Sequence, residues 1–109
     1  MSKRECVEAF YRAWIDKDWT AARAALTDDF QFRSPADEPP IGLKRYEERC
    51  WPLSERLKSL QIRELLEQPD LCMFTYDSDA DGKTIRVAEV ARFREGKICS
   101  IDCYWGFQP

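Results

Sequence analysis

The sequence predicts an α+β fold in which three helices pack on the concave face of a curved antiparallel sheet, and three observations lead there. Helical spacing of apolar residues is confined to residues 3–26 and 43–60, while alternation governs the chain after residue 61. The resulting order is helix, helix, strand, helix and four consecutive strands. The longest alternating stretch, residues 84–107, holds two strands joined by one short turn, which makes sequential strands antiparallel neighbours. At 109 residues the chain suffices for a single core and is too short for two, so residues 1–109 are expected to form one domain.

Taken in order, residues 3–16 carry Cys6, Val7, Phe10 and Trp14 at spacings of three and four, an aromatic stripe that Ala9 and Ala13 widen. Asp18 is placed to cap a second helix whose apolar face is Trp19, Ala22, Ala25 and Leu26. Thr27, Asp28 and Asp29 read as a turn, and Phe30, Phe32 and Ser34 then alternate with Gln31 and Arg33 as a short strand. A loop stiffened by Pro35, Pro39 and Pro40 runs to Gly42. The third helix is expected over residues 43–60 with a kink at Pro52, whose ring displaces the carbonyl of Glu48. Residues 61–67 and 71–76 are strands, the second turning Cys72, Phe74 and Tyr76 to the core. Residues 77–83 read as a polar turn.

In residues 84–107 the odd row Ile85, Val87, Ala91 and Phe93 is apolar, and Glu89 interrupts it. Arg86, Arg92 and Arg94 mark the opposite face as the wet one. The second strand lines up Cys99, Ile101, Cys103 and Trp105 against Ser100, Asp102 and Tyr104. A two-residue turn would pair odd with even positions, so a three-residue loop Arg94-Glu95-Gly96 is expected, with Gly96 left-handed. That register sets Phe93 against Lys97, Ala91 against Cys99, Glu89 against Ile101, Val87 against Cys103 and Ile85 against Trp105. On the outer face Ala88 then opposes Asp102, with Arg86 in diagonal reach. Val90, Ile98 and Tyr104 share this face, a mixed surface that suits either a two-fold dimer interface or solvent.

Composition excludes whole classes of function. Seventeen basic against twenty acidic residues give a net charge of −3, which leaves no electrostatic footprint for nucleic acid. No apolar run approaches the ~18 residues of a membrane span, and the charged start is unlike a signal peptide, so a cytoplasmic protein is expected. Cys6, Cys50, Cys72, Cys99 and Cys103 form no CxxC pair. Cys99 and Cys103 lie about 13 Å apart along one strand, and the five are expected to be free thiols. The chain has no histidine, which removes Ser-His-Asp and Cys-His nucleophiles and His-ligated zinc. Any chemistry rests on carboxylates, Tyr, Lys, Cys or water. Asp77, Asp79, Asp81 and Gly82 match the start of a calcium loop, but the twelfth position is Ala88 and the flanks are strands, so no metal is expected.

Three stretches, VEAFYRAWIDKDW with ALTDDFQFRSP, IGLKRYEERCW, and VAEVARFREGKICSIDCYWG, resemble the NTF2-like fold as found in SnoaL-like cyclases and ketosteroid isomerases. The resemblance spans nearly the whole chain and implies a cone that encloses a deep, mostly apolar pocket, often dimeric through its outer sheet face. It also implies a range of activities, from isomerases, cyclases, epoxide hydrolases and dehydratases to non-catalytic domains. Glu89 falls where ketosteroid isomerases place a protonated carboxylic acid. Ser34, before Pro35, stands at the position of their aspartate base, and Phe10, eight residues before Asp18, at that of their oxyanion-binding tyrosine.

The residues themselves single out Glu89 as the candidate acid or base. A carboxyl among Val87, Phe93 and Ile101 has its pKa raised by desolvation. The alternative is a purely structural hydrogen bond. Asp37 or Glu38 would supply a base, or else be solvated loop carboxylates. Phe10, Trp14, Phe32, Trp51, Phe74, Tyr76 and Trp105, with Ser34, Ile101 and Cys103, are the expected ligand-binding wall. The expected partner is a small apolar or aromatic ligand. The expected activity is proton transfer without cofactor or metal, as an isomerase, cyclase or dehydratase. A non-catalytic ligand-binding domain, or a dimeric assembly domain, is the alternative.

Overall fold

Ser2 opens the first helix, α1 (Lys3–Asp16), through a capping box: its hydroxyl accepts from the Glu5 amide while the Glu5 carboxylate accepts from the Ser2 amide. The computed structural model describes residues 1–107, the last two by backbone alone. The buried side of α1 carries Cys6, Val7, Phe10, Tyr11 and Ala13. Ala9 is exposed and Tyr11 is buried instead, since positions 7, 11 and 14 stack on one helix face. Asp18 caps α2 (Trp19–Ala24), accepting from the Ala21 amide at 3.1 Å.

Six strands follow in one curved, open sheet: β1 (Leu26–Ser34), β2 (Asp37–Gly42), β3 (Leu57–Glu67), β4 (Leu71–Ala80), β5 (Lys83–Arg94) and β6 (Lys97–Phe107). Their spatial order is β2-β1-β6-β5-β4-β3, antiparallel at every junction except β1 with β6, which is parallel. Between β2 and β3 lie α3 (Leu43–Arg49) and a 3-10 helix, Trp51–Arg56. Helix α1 rests on β3 and β4, while α2 and α3 rest on β1. The core beneath them includes Val7, Phe10, Leu26, Phe30, Ile98 and Ile101.

Several boundaries differ from the sequence expectation, each for a local reason. Residues 27–29 continue β1 instead of turning. The proline-rich loop contains β2, which tolerates Pro39 and Pro40 because an edge strand needs ladder bonds on one side only. The expected long helix stops at Arg49, and Pro52, which lacks an N–H, starts a 3-10 segment that releases the chain into β3 at Leu57. Residues 77–80 are strand, and the turn shrinks to Asp81-Gly82, both with positive φ of 54° and 76°.

The β5–β6 hairpin is also corrected. Its turn is Glu95-Gly96, with φ of 53° and 78° and Arg94 paired to Lys97, the two-residue form whose twist matches the strands. Parity is restored by a bulge: Phe93 pairs Ile98 and Arg92 pairs Ser100, leaving Cys99 as the extra residue. Ala91 therefore opposes Ile101, and Glu89 opposes Cys103 rather than Ile101. The same shift gives Asp102 to Arg92 at 2.9 Å, while Arg86 turns to Asp77 at 2.9 Å. Ile98, expected outside, is buried beside Leu26 of β1.

Candidate functional site

Strand β5 sends Ile85, Val87, Glu89 and Ala91 to one face, and between this face and the helices lies a cavity of about 490 Å³. Glu89 lines it and is only 3% exposed, flanked by Phe74 on β4 and Cys103 on β6. Tyr11, reaching down from α1, donates its hydroxyl to Glu89 Oε1, and the Tyr76 hydroxyl lies 3.4 Å from Oε2. Burial pushes the Glu89 pKa up to about 7, against the hydrogen bonds from Tyr11, Cys103 and Tyr76, which favour the ionised form. Burial, with Glu89 as neighbour, also raises Tyr11, Tyr76 and Cys103 well above their ordinary values. One carboxyl thus exchanges its proton near neutrality, while its three donors keep theirs.

A second polar group stands on the β1–β2 side. The turn at Pro35 and Ala36 brings Asp37 back opposite Ser34, whose hydroxyl donates to Asp37 Oδ2 at 3.0 Å and accepts from the Ala36 amide at 3.1 Å. Arg49 of α3 places Nε 3.0 Å from Asp37 Oδ1 and donates from Nη2 to the Ala36 carbonyl at 3.2 Å. Asp37 is 6% exposed and lines the cavity, so it is not a solvated loop carboxylate. Glu38 is exposed and pairs with Arg33 at 3.0 Å.

Among the residues expected at a ligand wall, Trp14, Phe32, Ser34, Tyr76, Cys103 and Trp105 line the cavity together with Glu89. Phe10 and Ile101 are fully buried in the core and do not line it. Phe74 stacks on Tyr76, and Trp51 packs edge-on against Trp14, both away from the lining. The lining also contains residues that sequence reasoning passed over, Tyr11, Tyr46 and Arg49. Tyr11 was within reach of the sequence, since it continues the stripe through Val7 and Trp14. Tyr46 and Arg49 had no comparable signal, because their side of α3 becomes a wall only once that helix is laid on β1.

Leu53, Ile85 and Trp105 are exposed and line the cavity, which makes its rim apolar. Two acids of the calcium-like run turn to arginines: Asp77 faces Arg63 and Arg86, and Asp81 pairs with Arg56. Among the described residues no cluster of three or more His, Cys, Asp or Glu is arranged to hold a metal ion. Among the described residues no helix is long and apolar enough to cross a membrane.

Comparison with known proteins gives a consistent picture. A family model described as a SnoaL-like domain matches residues 7–101. An NTF2-like protein of unknown function from Cytophaga hutchinsonii is similar in structure, at 23% identity over 97% of this chain and 91% of that one, with a TM-score of 0.79. An NTF2-like protein from Anabaena variabilis is 25% identical over 96% of this chain and 87% of its own, again with a TM-score of 0.79. A de novo designed protein with a curved β-sheet shares the fold at a TM-score of 0.82 and 16% identity, over 97% and 88% of the two chains. Comparison with curated proteins finds no match.

Proposed function

The chain belongs to the SnoaL-like domain family, with the NTF2-like fold, and from that premise we propose that its cavity binds a small apolar or planar metabolite and moves a proton through Glu89. The observation that carries this is a buried carboxyl, with a pKa of about 7, met by two phenols inside a mostly apolar space. When protonated, Glu89 donates to a ligand oxygen, with the Tyr11 and Tyr76 hydroxyls turned from its carboxyl to the same acceptor. When ionised, it takes a proton from a ligand carbon activated by that oxygen. Such chemistry is that of a cofactor-independent isomerase, cyclase or dehydratase. The departure from the isomerases at Phe10 is softened by Tyr11, which supplies a phenol from the adjacent helical position. Asp37 is the second carboxyl within the same cavity.

A second reading, a carrier that binds without turnover, is favoured by one observation: Ser34 occupies the position of the isomerase base. Glu89→Gln separates the two. Loss of at least about a hundred-fold in turnover with ligand affinity held within a few-fold supports the enzyme. A wild-type protein that binds planar ketones and never exchanges their α-protons for solvent deuterium supports the carrier.

We further propose a homodimer through the outer sheet face, supported by the exposed side chains of Leu66, Met73 and Tyr104 there. A cytoplasmic setting is part of the same proposal, in keeping with five free thiols.

A further inference from the structure

The Ser34, Asp37 and Arg49 group has no part in the proton transfer proposed above, yet it is built into the cavity wall. Asp37 Oδ2 is satisfied by the Ser34 hydroxyl. Oδ1 is different: Arg49 Nε stands 3.0 Å away and neutralises its charge, but no donor is aligned to it, and the atom is buried without a hydrogen bond. A buried acceptor left in this state costs free energy until a donor reaches it. The space beside Asp37 is the cavity itself.

Charge narrows what enters. The guanidinium groups that line the cavity are both committed, Arg49 to Asp37 and Arg56 to Asp81. An anionic ligand would meet no free cation there and would approach two carboxyl groups. A neutral ligand that brings an O–H donor meets the unfilled acceptor of Asp37 at one end and the Tyr11, Glu89 and Tyr76 group at the other. Strands β1 and β6 lie between β2, which carries Asp37, and β5, which carries Glu89. Three strand spacings amount to about 14 Å along the sheet, and the straight path across a curved sheet is shorter. The inward side chains and the hydrogen bonds at each end shorten it further, so the two polar ends of the ligand lie closer together than the strands that hold them.

We propose that the ligand is a neutral, two-ended molecule, with a carbonyl oxygen held at Tyr11, Glu89 and Tyr76 and a hydroxyl that donates to Asp37. This rests on the cavity being the ligand site at all, and the test keeps the two ideas apart. Acetophenone and para-acetylbiphenyl, each also as its far-para hydroxy derivative and the corresponding methoxy ether, are titrated by calorimetry into the unaltered protein and into Asp37→Ala, which removes both acceptor oxygens. The expected result is that the hydroxy compound of one series binds about ten-fold more tightly than its two companions, and that most of this advantage disappears in Asp37→Ala. Equal affinities within both series would overturn the assignment to Asp37 while leaving the cavity as a ligand site. An advantage undiminished in Asp37→Ala assigns the hydroxyl to another acceptor and overturns it equally. No binding by any of these compounds sinks both ideas. Should Asp37→Ala fail to fold, the same ligands on the unaltered protein decide alone, with the ethers as the controls that cannot donate.

Discussion

Glu89 sits in an apolar strand row, yet near neutral pH both of its protonation forms are populated, because burial and its three hydrogen-bond donors pull in opposite directions. The donors oppose burial, so removing one lets burial dominate. Tyr11→Phe should therefore move the Glu89 pKa further above 7, read as a shift of its carboxyl carbon titration by NMR. A downward or absent shift would contradict the hydrogen-bond assignment. The same group makes stability depend on pH. Its folded pKa is raised from 4.5 to about 7, so between those values the folded state holds a proton that the unfolded chain has released. Stability is full below the lower value and falls as pH rises through the upper one, by about 3 kcal/mol at most. The melting temperature of the wild type should drop between roughly pH 4 and 8, and Glu89→Gln should flatten that slope.

The β5–β6 hairpin decides at the element scale whether Glu89 faces inward. Two left-handed residues make its turn, and only Gly96 adopts that conformation without a Cβ penalty. Nothing lies within 4 Å of a Cβ built on Gly96, so Gly96→Ala should cost only the backbone term, about 1 kcal/mol in urea denaturation with an unchanged m-value. Glu95→Asn should be neutral or stabilise by about 0.5 kcal/mol, since Asn tolerates that conformation better. A larger loss in either variant would mean that the turn contributes more than its own backbone. The bulge at Cys99 then returns β6 to the register in which Ile101 and Cys103 face inward beside Ala91 and Glu89.

Across the whole molecule the sheet has two uses. Its inner face carries the cavity, and its outer face presents Leu66 and Met73 as a cross-strand pair with Val90 beside them and Tyr104 further along. Mixed apolar and charged surface of this kind is typical of a non-obligate interface, with the Arg92 and Asp102 pair on the same face. In sedimentation equilibrium the wild type should be a dimer and Met73→Glu should shift it toward monomer. Ligand affinity should not change, since Met73 does not line the cavity. A wild type that stays monomeric at millimolar concentration would end the dimer proposal.

The sequence by itself determined the α+β class, the first two helices, the inward row of β5 and the position of Glu89 on it, because these rest on periodicity and capping, which act within a few residues. The absence of histidine likewise narrowed the chemistry before any fold was known. Tertiary structure decided what depends on contact between distant segments. The parity rule for the hairpin was sound, but the rule did not say whether a longer turn or a bulge would satisfy it, and the bulge moved the partners of Ala91 and Glu89 by two residues. Residues 37–42 lack a strand pattern of their own and become β2 only because β1 offers an edge. Asp37 read as loop surface until Ser34 and Arg49 enclosed it. At Glu89 the sequence shows only a carboxyl in an apolar row; its hydrogen-bond partners Tyr11, Tyr76 and Cys103 come from three other elements and meet it only in the folded chain.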